Sequence, residues 1–508
     1  MTTTTRRHPA PYWSEVDFPA RPPLDHDTRA DVLVVGAGIT GLTTAYLLAR
    51  EGMQVVVVER DQCASADTGH TTAHVTMVTD TRLQTLVSSF GRSHAQAVWD
   101  AGLAAVATID DIVRTNELDA AFGWVDGYLH APRGEQSDDE QASLMKDARL
   151  ASELGFDAEF VTSTPLVGQY GIRFTGQARV HPRKYLAGVA SAIEQMGGRI
   201  YERSPTQVFR DDSRSVTVNG HTVAFDHVVI ATHNPLVGLE RTGGAALFQT
   251  KLAPYTSYVV AARVPRGTVP DALWWDTADP YTYIRLEPQG EHDLVIIGGE
   301  DHKTGQQEDT QVPFRRLTER LAILVPDAVV SHRWSGQVIE TPDGLPYIGE
   351  SAERQFTATG FGGNGMTFGT LAGLMIADAV RGRTNPWAEL FHPGRKALTR
   401  GLWDYLKENA DYPYYMIRDR FAGAESRTLR EVRRGEGVVI ERDGKKLAAF
   451  RDASGAVVTR SAICTHMGCT VGWNAADQTW DCPCHGSRFR PTGEVIAGPA
   501  ESPLPNVE

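Results

Sequence analysis

Cys464-Thr-His466 and Cys482-Pro-Cys-His485 are separated by fifteen residues near the C-terminal end of a 508-residue chain. Each short segment supplies one thiol and one imidazole. Together they make the donor set of a two-iron, two-sulfur cluster in which thiolates hold one iron and imidazoles the other. Tetrahedral zinc also accepts two Cys and two His, but zinc fingers place a CxxC pair ahead of an HxxxH pair. Here each loop carries one ligand of each kind, so the iron–sulfur cluster is the expected occupant. Four of the five cysteines fall within 21 residues, Cys464 to Cys484, which asks for a metal before a secretory disulfide framework.

A second constellation lies near the other end. Gly36-x-Gly38-x-x-Gly41 follows the apolar run DVLVV and opens a helical pattern, and Glu59 closes the next apolar run 18 residues after Gly41. In such a unit the first glycine makes the tight turn, the second lets the backbone approach a pyrophosphate and the third lets helix pack on strand. The acid then accepts from a ribose hydroxyl. The setting predicts dinucleotide binding, and the motif by itself does not choose between FAD and NAD.

The elements that must position these groups follow from hydrophobic periodicity. Residues 1–29 are rich in Pro and charge and read as an arm lying on the surface. Asp31 opens a βαβ unit, with a helix to about Glu51 and QVVVVE as the second strand, so a parallel sheet begins here. Helical patterning dominates 82–155, and a helix begins near His181-Pro182 among short β runs. YTSYVVAAR, YTYIRLE and DLVIIGGED, with a helix near 313–325, predict an antiparallel sheet with covering helices. The 386–428 segment mixes helix with Pro and Gly breaks and reads as a connector. From 429 to 508 short strands spaced by Gly and Asp turns predict a small all-β domain. The expected architecture is an α/β Rossmann-like nucleotide-binding domain interleaved with an antiparallel-sheet substrate domain over 30–385, plus the all-β domain.

Hydrophobic residues at 41 % and charged residues at 22 % describe an ordinary folded protein. The formal charge of −13 argues against a nucleic-acid partner. The segment from Leu429 onward is charge-balanced, so the acidic excess lies before it and would favour a cationic substrate. The uncharged stretches Val32–Ala49 and Phe356–Ala377 are broken by glycine clusters, and no membrane span is expected. No apolar stretch follows Arg6-Arg7, so an export signal is not expected and a cytoplasmic location is.

VVIATHNP (228–235), TPDGLPYIG (341–349) and ATGFGGNGMTFGT (358–370), added to the glycine motif, resemble the D-amino-acid oxidase family of FAD-dependent oxidoreductases, which includes glycine, sarcosine and amine oxidising members. The likeness covers about residues 30 to 385. It implies that Gly36, Gly38, Gly41, Glu59 and Arg60 hold the ADP part of FAD and that Thr71 and Thr72 lie near the flavin. It also implies that Gly362, Gly363, Asn364, Gly365 and Met366 present backbone N–H groups to the isoalloxazine. His70 and His74 lie where some relatives attach FAD covalently, and plain polar residues near the cofactor are the expectation. No further glycine motif is assigned to a nicotinamide, so an organic substrate is expected to reduce the flavin. Amino-acid oxidising relatives carry a carboxylate-binding Arg just before the TPDGLP-like motif, where Val338 stands here, so a small amine is the expected substrate. Tyr281, Tyr283 and Arg285 alternate along a strand and share a face. The family places that sheet over the flavin, making Tyr283 and Arg285 the catalytic candidates.

CTHMGC and CPCHGS closely resemble the Rieske proteins of respiratory cytochrome bc complexes, over about 430–508. That likeness implies a Rieske 2Fe-2S cluster on Cys464, His466, Cys482 and His485, and a disulfide between Cys469 and Cys484 that leaves Cys63 as the only other thiol. It matches Ser487 to a hydroxyl that donates to a cluster sulfur, and Phe489 replaces the tyrosine that adds a second such bond. The expected potential is therefore below the top of the range of about −150 to +300 mV. Rieske oxygenases also need a mononuclear iron on two His and a carboxylate, and the close pair His70/His74 is already inside the flavin segment. The combination predicts a dehydrogenase that passes electrons from substrate to FAD to the cluster to an external one-electron carrier protein, ferredoxin- or cytochrome-like. The alternatives are a reductase fed by a ferredoxin-like donor and a non-enzymatic redox sensor.

Overall fold

Val32 to Val35 and Val55 to Val58 are buried on both faces, the condition of strands covered by helices on either side. They are the centre of a parallel sheet in a computed structural model that describes residues 10–134, 137–210, 213–235, 251–395 and 428–507. Its strand order is Tyr347–Ala352, Gln355–Thr359, His221–Ile230, Thr28–Val35, Val55–Val58 and Arg199–Tyr201. All pairs are parallel except the first, and the hairpin Thr206–Arg210/Ser215–Val218 extends it from His221–Ile230. The helix Ile39–Arg50 lies against the helix Gly365–Val380. Gly369 and Gly373 permit this closeness, because a Cβ at either would come within 2.6 or 2.7 Å of Ile39 or Thr43. This is the Rossmann-like domain expected.

The second sheet has nine strands. Its main order is Val329–Glu340, Ala253–Pro265, His292–Lys303, Thr282–Glu287, Ala272–Asp276, Gly123–His130, Gly171–Arg179 and His74–Val75. It is antiparallel apart from one parallel pair, Ala272–Asp276 with Gly123–His130, and the helix Gln311–Leu324 covers it. Helices do dominate 82–155, as Leu83–Phe90, Arg92–Thr115 and Asp138–Glu153, and the strand Gly123–His130 stands between them. Pairing on both sides decides it, and Gly127 leaves room for the Trp275 ring, which a Cβ would meet at 2.8 Å. The helix expected at His181-Pro182 is Pro182–Gln195, and His181 Nδ1 caps it by accepting from the Lys184 N–H at 3.3 Å.

The described part of the N-terminal arm runs largely along the surface, as expected, but Pro11, Trp13, Arg21 and Leu24 anchor it in the interior. Trp13 is 0 % exposed, packs with Val259, Ile296 and Trp334, and donates through Nε1 to Thr71 O at 2.6 Å. An isolated Trp in a Pro-rich segment carries no periodicity, so its burial could not be read in advance. Of the connector, residues 396–427 lie outside the described residues.

The C-terminal strands form two small antiparallel sheets, Glu436–Arg442/Lys445–Arg451/Val457–Ser461 and Gly472–Asn474/Thr479–Asp481/Arg488–Phe489/Val495–Ala497. Among the described residues no helix is long and apolar enough to cross a membrane. Trp13→Ala should cost ~3–5 kcal/mol, the range for deleting a buried aromatic, and lower the unfolding midpoint. Trp124→Ala, at a half-exposed position, should shift it by less than ~0.5 kcal/mol.

Candidate active site and cluster site

The motif glycines stand where no side chain fits. Gly36 has φ +104°, and a Cβ there would lie 2.4 Å from Ala231 O; one on Gly41 would lie 1.9 Å from Gly36 O. Gly36, Gly38 and the first turn of Ile39–Arg50 border a cavity of about 780 Å³. That volume falls in the range of cofactor sites, and the elongated lining, from this glycine turn to the second sheet, fits the dinucleotide that the glycine motif implies. The Glu59 carboxylate accepts from the Ala37 N–H at 2.8 Å and the Asp61 N–H at 2.9 Å, and burial pushes its pKa up. Arg60 lines the cavity and donates to Ile496 O at 2.6 Å. The wall it reaches belongs to the C-terminal domain: residues 496–503 close the cavity on this side, and Asn234 Nδ2 donates to Gly498 O at 3.1 Å.

Thr71 and Thr72 line the cavity as expected. Burial first, then the nearby Arg285 charge, holds the His74 pKa at about 3, so the ring is neutral. Its Nε2 meets Ile284 O at 3.0 Å and must carry the proton, which leaves Nδ1 to accept from Thr72 Oγ1 at 3.1 Å. Both nitrogens are therefore occupied. His70 Nδ1 donates to Ala66 O at 3.0 Å.

In the second glycine turn, three of the five expected N–H groups are engaged within the protein. Gly362 donates to Ile339 O at 2.9 Å, Gly363 to Asp80 Oδ2 at 2.6 Å and Asn364 to Phe361 O at 3.1 Å. Gly365 and Met366, in the first turn of Gly365–Val380, remain to face a ligand, and a Cβ on Gly365 would have open space around it.

The second sheet supplies the far end. The Tyr283 hydroxyl shares a hydrogen bond of 2.6 Å with Ser257 Oγ, and Gly298 leaves the space its ring fills. Tyr281 and Val338 line the same end. Arg285 does not reach the cavity. It is wholly buried, donates to Thr72 O, Ala73 O and Val180 O at 2.9–3.1 Å, and pairs with Glu287. It shares Tyr283's strand face, but two residues of strand carry it about 6.6 Å along, past the cavity edge. Its place is behind the Thr72–Ala73 backbone, which it positions.

Sequence reasoning missed Asp80, Ser257, Asp301 and Gln337, all of which line the cavity. Asp301 had a signal, an acid ending the apolar run DLVIIGGED. Burial pushes its carboxyl up to about 7, the Ser257 hydroxyl beside it opposes that, and the Asp80 and Glu300 charges add to it. Burial likewise raises Asp80, against the Gly363 N–H and the Tyr281 hydroxyl.

The four residues expected to hold the cluster lie on two loops. The His466 and His485 rings are 4.8 Å apart between centroids, and the Cys482 thiol, interacting with Cys464, draws Cys464 down to about 7. Burial keeps both imidazoles neutral, His485 at about 4, with ring nitrogens suited to a metal. This donor set fits a Rieske cluster. Cys469 and Cys484 are disulfide-bonded across the loops, with Cα atoms 6.5 Å apart. Ser487 lies beside Cys464 and accepts from the Ala500 N–H at 3.0 Å, and Phe489 is fully buried. Cys63 is buried, which pushes its thiol up.

The two loops have different surroundings. Residues 481–489 are buried throughout. Gln337 Nε2 donates to Gly486 O at 2.8 Å, and a Cβ on Gly305 would lie 2.8 Å from the Cys482–Pro483 backbone. The first loop faces outward, with Ile463 exposed and Met467 51 % exposed beside Cys464 and His466. A buried ion group locks the contact: Arg488 pairs with Asp477 at 2.6 Å and Asp481 at 3.1 Å, and Ser335 of the second sheet donates to Asp477.

Comparison with known proteins finds the family described as FAD dependent oxidoreductase over residues 31–379 and the Rieske [2Fe-2S] domain over 425–508. A chain named as a Rieske 2Fe-2S iron-sulfur protein, YhfW, of Bacillus subtilis (strain 168) is 31 % identical over 98 % of each chain. Gamma-glutamylputrescine oxidoreductase of Escherichia coli (strain K12) is 23 % identical over 78 % of this chain and 94 % of its own length. The crystal structure of glycine oxidase from Geobacillus kaustophilus superposes with a TM-score of 0.61 at 21 % identity, covering 73 % of this chain and 99 % of that one. Gly36→Ala should yield protein without flavin absorbance near 450 nm that keeps the reduced-cluster electron paramagnetic resonance signal, because only the glycine turn is obstructed.

Proposed function

The chain belongs to the FAD-dependent oxidoreductase family and carries a Rieske [2Fe-2S] domain C-terminal to it, and from that premise we propose that it is a dehydrogenase of a small amine whose electrons leave through the cluster to a one-electron carrier protein. Bound FAD supplies a two-electron acceptor for a C–N bond and the bound cluster a one-electron relay.

The observation that carries this reading is Gln337. It lines the flavin cavity, and its amide donates to Gly486 O in the second cluster loop at 2.8 Å, so one side chain spans the wall between the two redox sites. A cluster held by His485 and Cys482 of the buried second loop would lie on the side of that wall, and the exposed first loop leaves an edge for a partner. Inward electron flow from a donor would use the same two faces, so direction is decided by the substrate end. There Val338 offers no guanidinium for a carboxylate. Among the described residues lining the cavity the one permanent cation is Arg60, at the Glu59 end, while Asp80 and Asp301 stand at the other. Such an end favours a cationic amine over an amino acid. A relative named for gamma-glutamylputrescine supports the same class.

The test is anaerobic titration with primary, secondary and polyamines, following flavin bleaching and the cluster's electron paramagnetic resonance signal in one sample. An amine should bleach the flavin first, and the cluster signal should then grow. A flavin that no amine reduces, with a cluster that a chemical reductant fills first, would favour the reductase or sensor. In Gln337→Leu the amine should still bleach the flavin at the normal rate while the cluster signal appears several-fold more slowly, measured by stopped-flow and rapid-freeze sampling.

A further inference from the structure

We propose that Asp301 is the residue that receives the substrate's ammonium group, through its Oδ1 atom. The assignment rests on the amine reading above and names the residue that enforces it.

Asp301 lies on the strand His292–Lys303 and lines the cavity with Ser257, Tyr281 and Tyr283. Its Oδ1 is buried and has no hydrogen-bond partner in the protein. An unsatisfied buried carboxylate oxygen costs free energy, and it is out of keeping with its neighbours. Glu300, the preceding residue, is neutralised by Arg316 and Arg320, both at 2.9 Å. Asp80 accepts the Gly363 N–H at 2.6 Å and the Tyr281 hydroxyl. Asp301 faces the cavity with the Ser257 hydroxyl beside it and no Lys or Arg among the described lining residues at that end. The open acceptor position is matched by a donor that carries its own positive charge, and an alkylammonium is the small group that does so.

The groups facing Asp301 are Asp80 from the loop before the helix Leu83–Phe90, Tyr281 and Tyr283 from the neighbouring strand region, and Ser257 from Ala253–Pro265, with Glu300 next along its own strand. Both tyrosines are held neutral by burial. The negative neighbours and burial bring the Asp301 carboxyl to about 7. Below that pH the group is neutral and holds an ammonium weakly; above it the charged form pairs with one. Cation affinity should therefore rise as pH increases through 7, until the amine itself loses its proton.

The experiment uses the full-length flavin-loaded protein, wild type, Asp301→Asn and Asp301→Glu, with flavin content and circular dichroism as folding controls. The probes are C2 to C6 alkylamines, putrescine and spermidine, against acetate to hexanoate and glycine. Binding is read anaerobically as perturbation of the flavin visible spectrum between pH 6 and 9, before any bleaching. The expected result is that at least one cation binds and the carboxylates do not. Asp301→Asn should raise its Kd roughly 10- to 100-fold, the effect of losing a hydrogen bond to a charged group, and abolish the limb near pH 7, while Asp301→Glu retains a measurable part of both. Equal binding and bleaching by the same amine in wild type and Asp301→Asn would overturn the assignment and leave the amine reading standing. Binding of carboxylates or glycine in preference to every amine, or no cation binding at all, would overturn both.

Discussion

One stretch of chain, residues 496–503, is at once a wall of the dinucleotide cavity and the support of the cluster loops. On one side it takes hydrogen bonds from Arg60 and Asn234 of the nucleotide domain. On the other, the Ala500 N–H donates to Ser487 and Ser502 O accepts from Thr465, one residue from each cluster loop. A closely packed segment with both edges hydrogen-bonded has few ways to give. The two redox sites are joined by structure and not only by a linker.

Charge and shape hold this arrangement. Arg488 is buried between Asp477 and Asp481 directly after the second cluster loop, and Ser335 of the substrate sheet donates to Asp477. Removing one member of such a group leaves an unpaired buried charge, so the docked position is strongly specified. Ala476 adds an apolar contact by entering the core beneath the second sheet, and its N–H donates to Thr310 at 3.1 Å. Gly305 and Gly486 allow the backbones to meet where a Cβ would clash. The second of the two loops is consequently buried against the substrate sheet, while the first is open to solvent.

Within the cavity the polarity is graded. Arg60 stands beside Glu59 at the glycine turn, whereas Asp80 and Asp301 occupy the sheet end with two neutral tyrosines. Val338, on the same lining, adds no charge to it.

The nucleotide turn and the cluster loops were legible in the sequence because their chemistry is local. Gly36, Gly38 and Gly41 serve one turn, and the Cys and His ligands lie in two short loops whose residue types are themselves the donors. Buried apolar strands announced the parallel sheet for the same reason. Tertiary structure alone decided what is assembled from distant segments. Asp80, Ser257, Asp301 and Gln337 converge from four different elements, and nothing in their local spacing says that they meet. Arg285 shows the converse: alternation correctly placed it on Tyr283's face, but only the position of the sheet decides which residue of a face reaches the cavity. Trp13 became a core residue, and 496–503 a cofactor wall, through contacts spanning much of the chain. Periodicity reports which side of an element is buried; what that side is buried against is settled by packing.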